Sequence, residues 1–130
     1  MRHLKRVAAA AGAAAILLAA APAASADPYV HCQEVGPSAA PAGAACFSSY
    51  GDKITVLDTL ADGYRVVGDW QTDYGRSGEC HNANGANNTS VTCNYDMREN
   101  RTIRWRACLR KGANGADHKC GAWTGWRPIA

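Results

Sequence analysis

Six cysteines decide most of what this chain can become. They stand in three couples that follow one another along the sequence, Cys32 with Cys46, Cys80 with Cys93 and Cys108 with Cys120, with Gly, Ala and Asn enriched between them. Fifteen pairings of six cysteines are formally possible. The close spacing favours the sequential one, in which each bridge closes a loop of about fifteen residues and contributes roughly 3 kcal/mol by restricting the unfolded chain. Three such bridges together rival the net stability of an ordinary domain. The chain is therefore expected to fold in an oxidising compartment and to unfold on reduction.

The N-terminal residues supply the reason for oxidation. Arg2, Lys5 and Arg6 form a positive n-region, residues 7–21 are an uncharged run rich in Ala and Leu, and Ala24-Ser25-Ala26 is an A-x-A cleavage site. This is the pattern of a secretory signal peptide removed after export. The apolar run stops at Pro22, short of the about 20 residues that a membrane span needs. Residues 1–26 are thus expected to be cleaved, leaving an extracellular protein with no membrane association. The Ala-rich leader points to a bacterial source, and residues 27–130 suffice for one folding unit.

Cleavage changes the charge argument. The chain carries 14 Lys and Arg against 11 Asp and Glu, but the leader holds three of the bases and none of the acids, so the remainder is balanced. A protein that grips nucleic acid by neutralising phosphates shows a basic surplus, and this one does not. Charge is still unevenly placed. Asp52, Asp58, Asp62, Asp69 and Asp73 stand among only Lys53 and Arg65, whereas Arg98, Arg101, Arg104, Arg106, Arg110 and Lys111 stand with only Glu99. The two halves either pair across the fold or leave a bipolar surface.

The clearest secondary-structure signal is TIRWRACL, residues 102–109. Ile103, Trp105, Ala107 and Leu109 fall on one side and Thr102, Arg104, Arg106 and Cys108 on the other, the period of a half-buried strand. Residues 53–60 are β-branched and bounded by turn residues. Residues 64–71 alternate again after Asp62-Gly63, which predicts a hairpin. Two short strands around Cys80 and Cys93 are expected to be neighbours, joined by an Asn- and Gly-rich tip. Residues 27–50 contain Pro28, Pro37 and Pro41 and read as an irregular arm tied back by its own disulfide. No stretch carries helical periodicity. The expected fold is all-β: a small antiparallel β-sandwich over residues 51–130, stapled by three disulfides. Asn87, Asn88 and Asn100 head N-x-S/T sequons; a glycan there requires an organism that attaches one, and beside an Ala-rich leader of bacterial character they read as chance matches.

YDMRENRTIRWRACL resembles the approach to, and body of, the penultimate strand of fibronectin type III and other immunoglobulin-like domains, over about one strand in seven. That resemblance implies an immunoglobulin-like sandwich. The chain is also similar to small secreted proteins of actinobacteria with Cys-bounded Asn/Gly loops, a group that implies no activity.

Candidate sites follow from the last two cysteines. If Cys108 lies opposite Cys120 in an antiparallel pair, Arg106 falls beside Ala122, Arg104 beside Thr124 and Thr102 beside Trp126 on the disulfide face, with Trp105 beside Trp123 on the other. Trp105 and Trp123 are then core, while Arg104, Arg106, Thr124 and Trp126 form an exposed patch, whose Trp and Arg are the residue types that binding hot spots favour. His31, His81 and His118 each lie near a cysteine, but no zinc spacing is present, and they read as loop residues. No metal or cofactor is implied. Glu79 with His81, or Glu99 with an arginine, offers the catalytic groups of a small secreted nuclease or toxin, though no spacing is distinctive. Gly75-Arg76-Ser77-Gly78 is one residue short of a nucleophile elbow. The expectation is a secreted, non-catalytic binding protein for an extracellular protein or polysaccharide, with no nucleic-acid partner. The alternative is an inhibitor of an extracellular hydrolase, acting through the loops at 82–88 and 111–118.

Overall fold

A computed structural model describes residues 12, 27–86 and 89–130. The leader apart from Gly12, and the sequon residues Asn87 and Asn88, lie outside the described residues. Among these there is no helix, hence none long and apolar enough to cross a membrane. The chain forms β1 (Val30–Val35), β2 (Gly43–Ser48), β3 (Lys53–Asp58), β4 (Arg65–Thr72), β5 (Ser77–Asn82), β6 (Val91–Asn94), β7 (Thr102–Arg110), β8 (Asp117–Cys120) and β9 (Arg127–Pro128). One sheet has the order β1-β2-β3-β6 and the other β5-β4-β7-β8, with β9 also beside β7, and every pairing is antiparallel. The expected disulfide-stapled all-β sandwich is thus the fold.

The strand order is not that of an immunoglobulin domain. There the third strand leaves the sheet of the first two; here β1, β2 and β3 form a meander in one sheet and β4 is the first to cross.

Alternation accounts for the interior. Ile103, Trp105 and Ala107 of β7 are fully buried, as are Val66 and Trp70 of β4 and Ile54 and Val56 of β3. Phe47 meets Trp105 with ring centroids 5.3 Å apart. At the middle of β4, Gly68 leaves room for the opposite sheet: a Cβ there would sit 2.9 Å from Ile54 Cγ2 and 3.0 Å from Val56 Cγ2.

All three disulfides are sequential. Cys32–Cys46 and Cys108–Cys120 each join directly opposed residues of adjacent strands, with Cα atoms 3.9 and 4.1 Å apart. Cys80–Cys93 differs: β5 and β6 belong to different sheets, so the expected neighbour pairing gives way to a bridge through the sandwich, with Cα atoms 5.9 Å apart. Both residues point inward, and two inward-facing cysteines on opposed sheets can bond without sharing an edge.

Two further expectations are corrected. The segment 27–50 is not an irregular arm: it contributes β1 and β2, and Ala45 and Phe47 are wholly buried. Its three prolines fall outside both strands, so they mark connections and interrupt no ladder. Nor do β3 and β4 form a hairpin. Asp62-Gly63, with Gly63 at φ 76°, lies in the connection that carries the chain from one sheet to the other. Each strand has one apolar face, and burying those faces against each other satisfies both.

Candidate functional site

The outer face of the β5-β4-β7-β8 sheet is built from the polar half of each alternating strand. Antiparallel register sets Gln71 opposite Arg104, and Asp69 opposite both Arg106 and Glu79. Arg104 donates from Nε and Nη2 to Gln71 Oε1 at 3.1 and 2.7 Å. Arg106 donates from Nε to Asp69 Oδ2 at 3.0 Å. Burial nevertheless pushes the Asp69 carboxyl above the usual range by more than Arg106 pulls it down. Arg110 holds Glu79 with two bonds of 2.7 and 3.0 Å and Asp117 with two more. The charged halves of the sequence therefore pair in part across this face.

The expected register between β7 and the returning chain holds at first. Cys108 opposes Cys120, and Gly121 N–H donates to the Ala107 carbonyl. It then slips: Thr124 N–H donates to the Trp105 carbonyl, and Ile103 pairs with Arg127. Gly121 is where the chain leaves the ladder, pressed so close to β1 that a Cβ would lie 2.1 Å from the Glu34 carbonyl oxygen.

A slip of one residue exchanges the faces. Thr124, expected on the exposed patch, is buried, and its Oγ1 accepts from Trp105 N–H at 3.1 Å. Trp123, expected in the core, lies half-buried on the outer face. Arg104, Arg106 and Trp126 stay where the sequence places them.

The result is an alternating chain of guanidinium and indole. Arg106 lies 4.4 Å from the centroid of Trp123, Arg104 lies 4.7 Å from Trp123 and 5.0 Å from Trp126, and Trp126 is 49% exposed. Each contact is within cation–π range.

Comparison with protein-family models, curated proteins and solved structures finds no match.

Glu79 and His81 do meet, at 2.9 Å. The Arg110 hydrogen bonds, with help from His81, pull the Glu79 carboxyl down to about 2. So weak a base is poorly matched to proton abstraction near neutral pH. None of His31, His81 and His118 is a loop residue: they sit on β1, β5 and β8, and His118 stacks on Tyr64 with centroids 4.5 Å apart. Among the described residues, the one cluster of possible metal ligands is Cys108, Asp117 and Cys120, whose two sulfurs are bonded to each other.

At one end of the sandwich, the loop after β5 and the loop after β7 border the same cleft, about 520 Å³ in volume. Asp58, Tyr64, Asn82, Gly85 and Gly112 are among its walls. Sequence reasoning named both loops but not their convergence, which depends on β5 and β7 flanking β4.

Proposed function

We propose that this protein is a secreted, non-catalytic binding module whose ligand lies across Arg104, Arg106, Trp123 and Trp126. The observation that carries this reading is the guanidinium–indole chain on an outer sheet face. Its side chains are held by Gln71, Asp69 and each other, so little rotamer freedom remains to be lost on binding. Trp and Arg are also the residues in which binding energy concentrates. Export rests on the leader pattern, and the three disulfides agree with an oxidising compartment.

The test is co-sedimentation with insoluble cell-wall glycan and retention on immobilised extracellular proteins, comparing the wild type with Trp126→Ala. Loss of retention in the variant supports the reading; retention that ignores the substitution removes it. A second reading, inhibition of an extracellular hydrolase, draws on the convergence of the two loops at the end cleft. Stoichiometric loss of amylase or protease activity, undiminished by Trp126→Ala, would favour it. Release of nucleotides from RNA, abolished by His81→Ala, would instead make the protein a nuclease.

A further inference from the structure

We infer that the ligand of this face is an acidic polysaccharide, a chain of sugars bearing carboxylates, gripped by Arg104 and stacked on Trp126. The inference rests on the binding-module reading and adds the chemistry of the ligand.

Arg104 and Arg106 differ in one respect that decides the matter. Arg106 is neutralised by Asp69, 3.0 Å away, with Asp117 at 3.8 Å. Arg104 has no carboxylate partner among the described residues; its neighbour is the neutral carboxamide of Gln71, which takes Nε and Nη2. Both N–H groups of Nη1 and one on Nη2 are left over, and two of them, one on each nitrogen, point in parallel and fit the two oxygens of a carboxylate. Indoles within 5.0 Å shed water from this cation. A partly desolvated, uncompensated guanidinium is a site for an anion.

Trp126 supplies the other half. It ends the stack, with Arg104 against it and nearly half of its surface exposed. An indole beside a cation matches a uronic acid residue, in which the apolar C–H face of a pyranose ring and its carboxylate occur together. Shape argues the same way. These four residues lie on an outer sheet face and line neither the end cleft nor the two smaller clefts formed by the described residues; small ligands are held in concavities, whereas a sheet face suits a polymer laid across it. The basic-aromatic character also recurs beyond the start of β7, where Arg98 and Arg101 lie 4.9 and 5.7 Å from the Tyr74 ring. Single-stranded nucleic acid also offers rings and anions. The chain without its leader, however, carries no basic surplus, and the stack exposes one open guanidinium where phosphate tracking calls for several.

The experiment uses isothermal titration of the oxidised protein with four probes: polygalacturonate, the same polymer methyl-esterified, a neutral glucan, and poly(U). The expected result is binding to polygalacturonate at least tenfold tighter than to its ester. Trp126→Ala, at an exposed position, should weaken binding to polygalacturonate at least tenfold. Gln71→Glu should do the same by placing a carboxylate on Arg104, and an unchanged circular dichroism spectrum establishes that it folds. Equal affinity for acid and ester, lost in Trp126→Ala, overturns the acidic ligand and leaves the face. Binding indifferent to both substitutions overturns the face as well. Preference for poly(U), or no binding to polygalacturonate, overturns the inference.

Discussion

The indole N–H of Trp105 donates to the main-chain carbonyl of Ala45 at 3.0 Å, a hydrogen bond that runs from one sheet to the other through the buried interior. Trp105 is fully buried and also meets Phe47 and, in a T-shaped contact, His31. The pair sets the distance between the sheets by a polar contact as well as by packing. Trp105→Phe keeps most of the apolar area but leaves the Ala45 carbonyl without its partner, at an expected cost of about 1–3 kcal/mol. Trp105→Ala adds a cavity and should cost about 3–5 kcal/mol. Urea unfolding of the two variants checks this; a Phe variant as stable as the wild type would show that the hydrogen bond contributes nothing.

Thr124 tests the register slip. Its Oγ1 accepts from Trp105 N–H, and its own N–H donates to the Trp105 carbonyl at 2.9 Å. Thr124→Val orphans a buried donor and should cost about 1–3 kcal/mol, whereas Thr124→Ser keeps the hydroxyl and should retain most of the stability. Ligand binding by either folded variant should be unchanged, because Thr124 faces inward. A Val variant that loses ligand but not stability would return Thr124 to the exposed patch.

These residues also mark how far the sequence could be read. Period two placed Ile103, Trp105 and Ala107 inside, and Arg104 and Arg106 outside, because each strand of a sandwich buries one face whatever its neighbours are. Cysteine spacing favoured the sequential pairings that form, without excluding the others. Which sheet each strand joins was not legible. Residues 53–60 and 64–71 present the same alternation whether they pair edge to edge or pack face to face, and Asp62-Gly63 serves either connection. Trp123 was misplaced for a related reason. The register set by Cys108–Cys120 extrapolates cleanly until Gly121, whose approach to the Glu34 carbonyl is a tertiary contact that no local pattern encodes.

The disulfides should not be equivalent. Their loops are of similar length, so the entropy each removes from the unfolded chain is similar, about 3 kcal/mol. Cys80–Cys93, however, ties one sheet to the other, and Cys80 is completely buried in the core, while Cys32 at the edge of its sheet is exposed. Replacing Cys80 and Cys93 by Ala adds lost packing to lost entropy and should lower the melting temperature more than replacing Cys32 and Cys46. Equal decreases in thermal scans would mean that the bridge between the sheets acts on the unfolded chain alone.

Acid should act through Glu79. Its carboxyl ordinarily titrates near 4.5, and in the folded protein the Arg110 hydrogen bonds, helped by His81, hold it near 2. A lowered folded value means that its contribution is complete above about pH 4.5 and disappears as pH falls towards 2. The Glu79 side chain is 41% exposed, so solvent screening limits that contribution to about 1 kcal/mol. Asp58 and Asp69 act in the opposite sense. Burial raises their folded values, so the folded state takes up their protons before the unfolded chain does and gains stability as pH falls. The urea midpoint of Glu79→Gln, lower than wild type at pH 7, should close on it as pH falls from 4.5 through 2, whatever common slope Asp58, Asp69 and the likewise lowered Asp73 give to both curves. Two curves that fall in parallel through that window would mean that Arg110 does not grip Glu79 in solution.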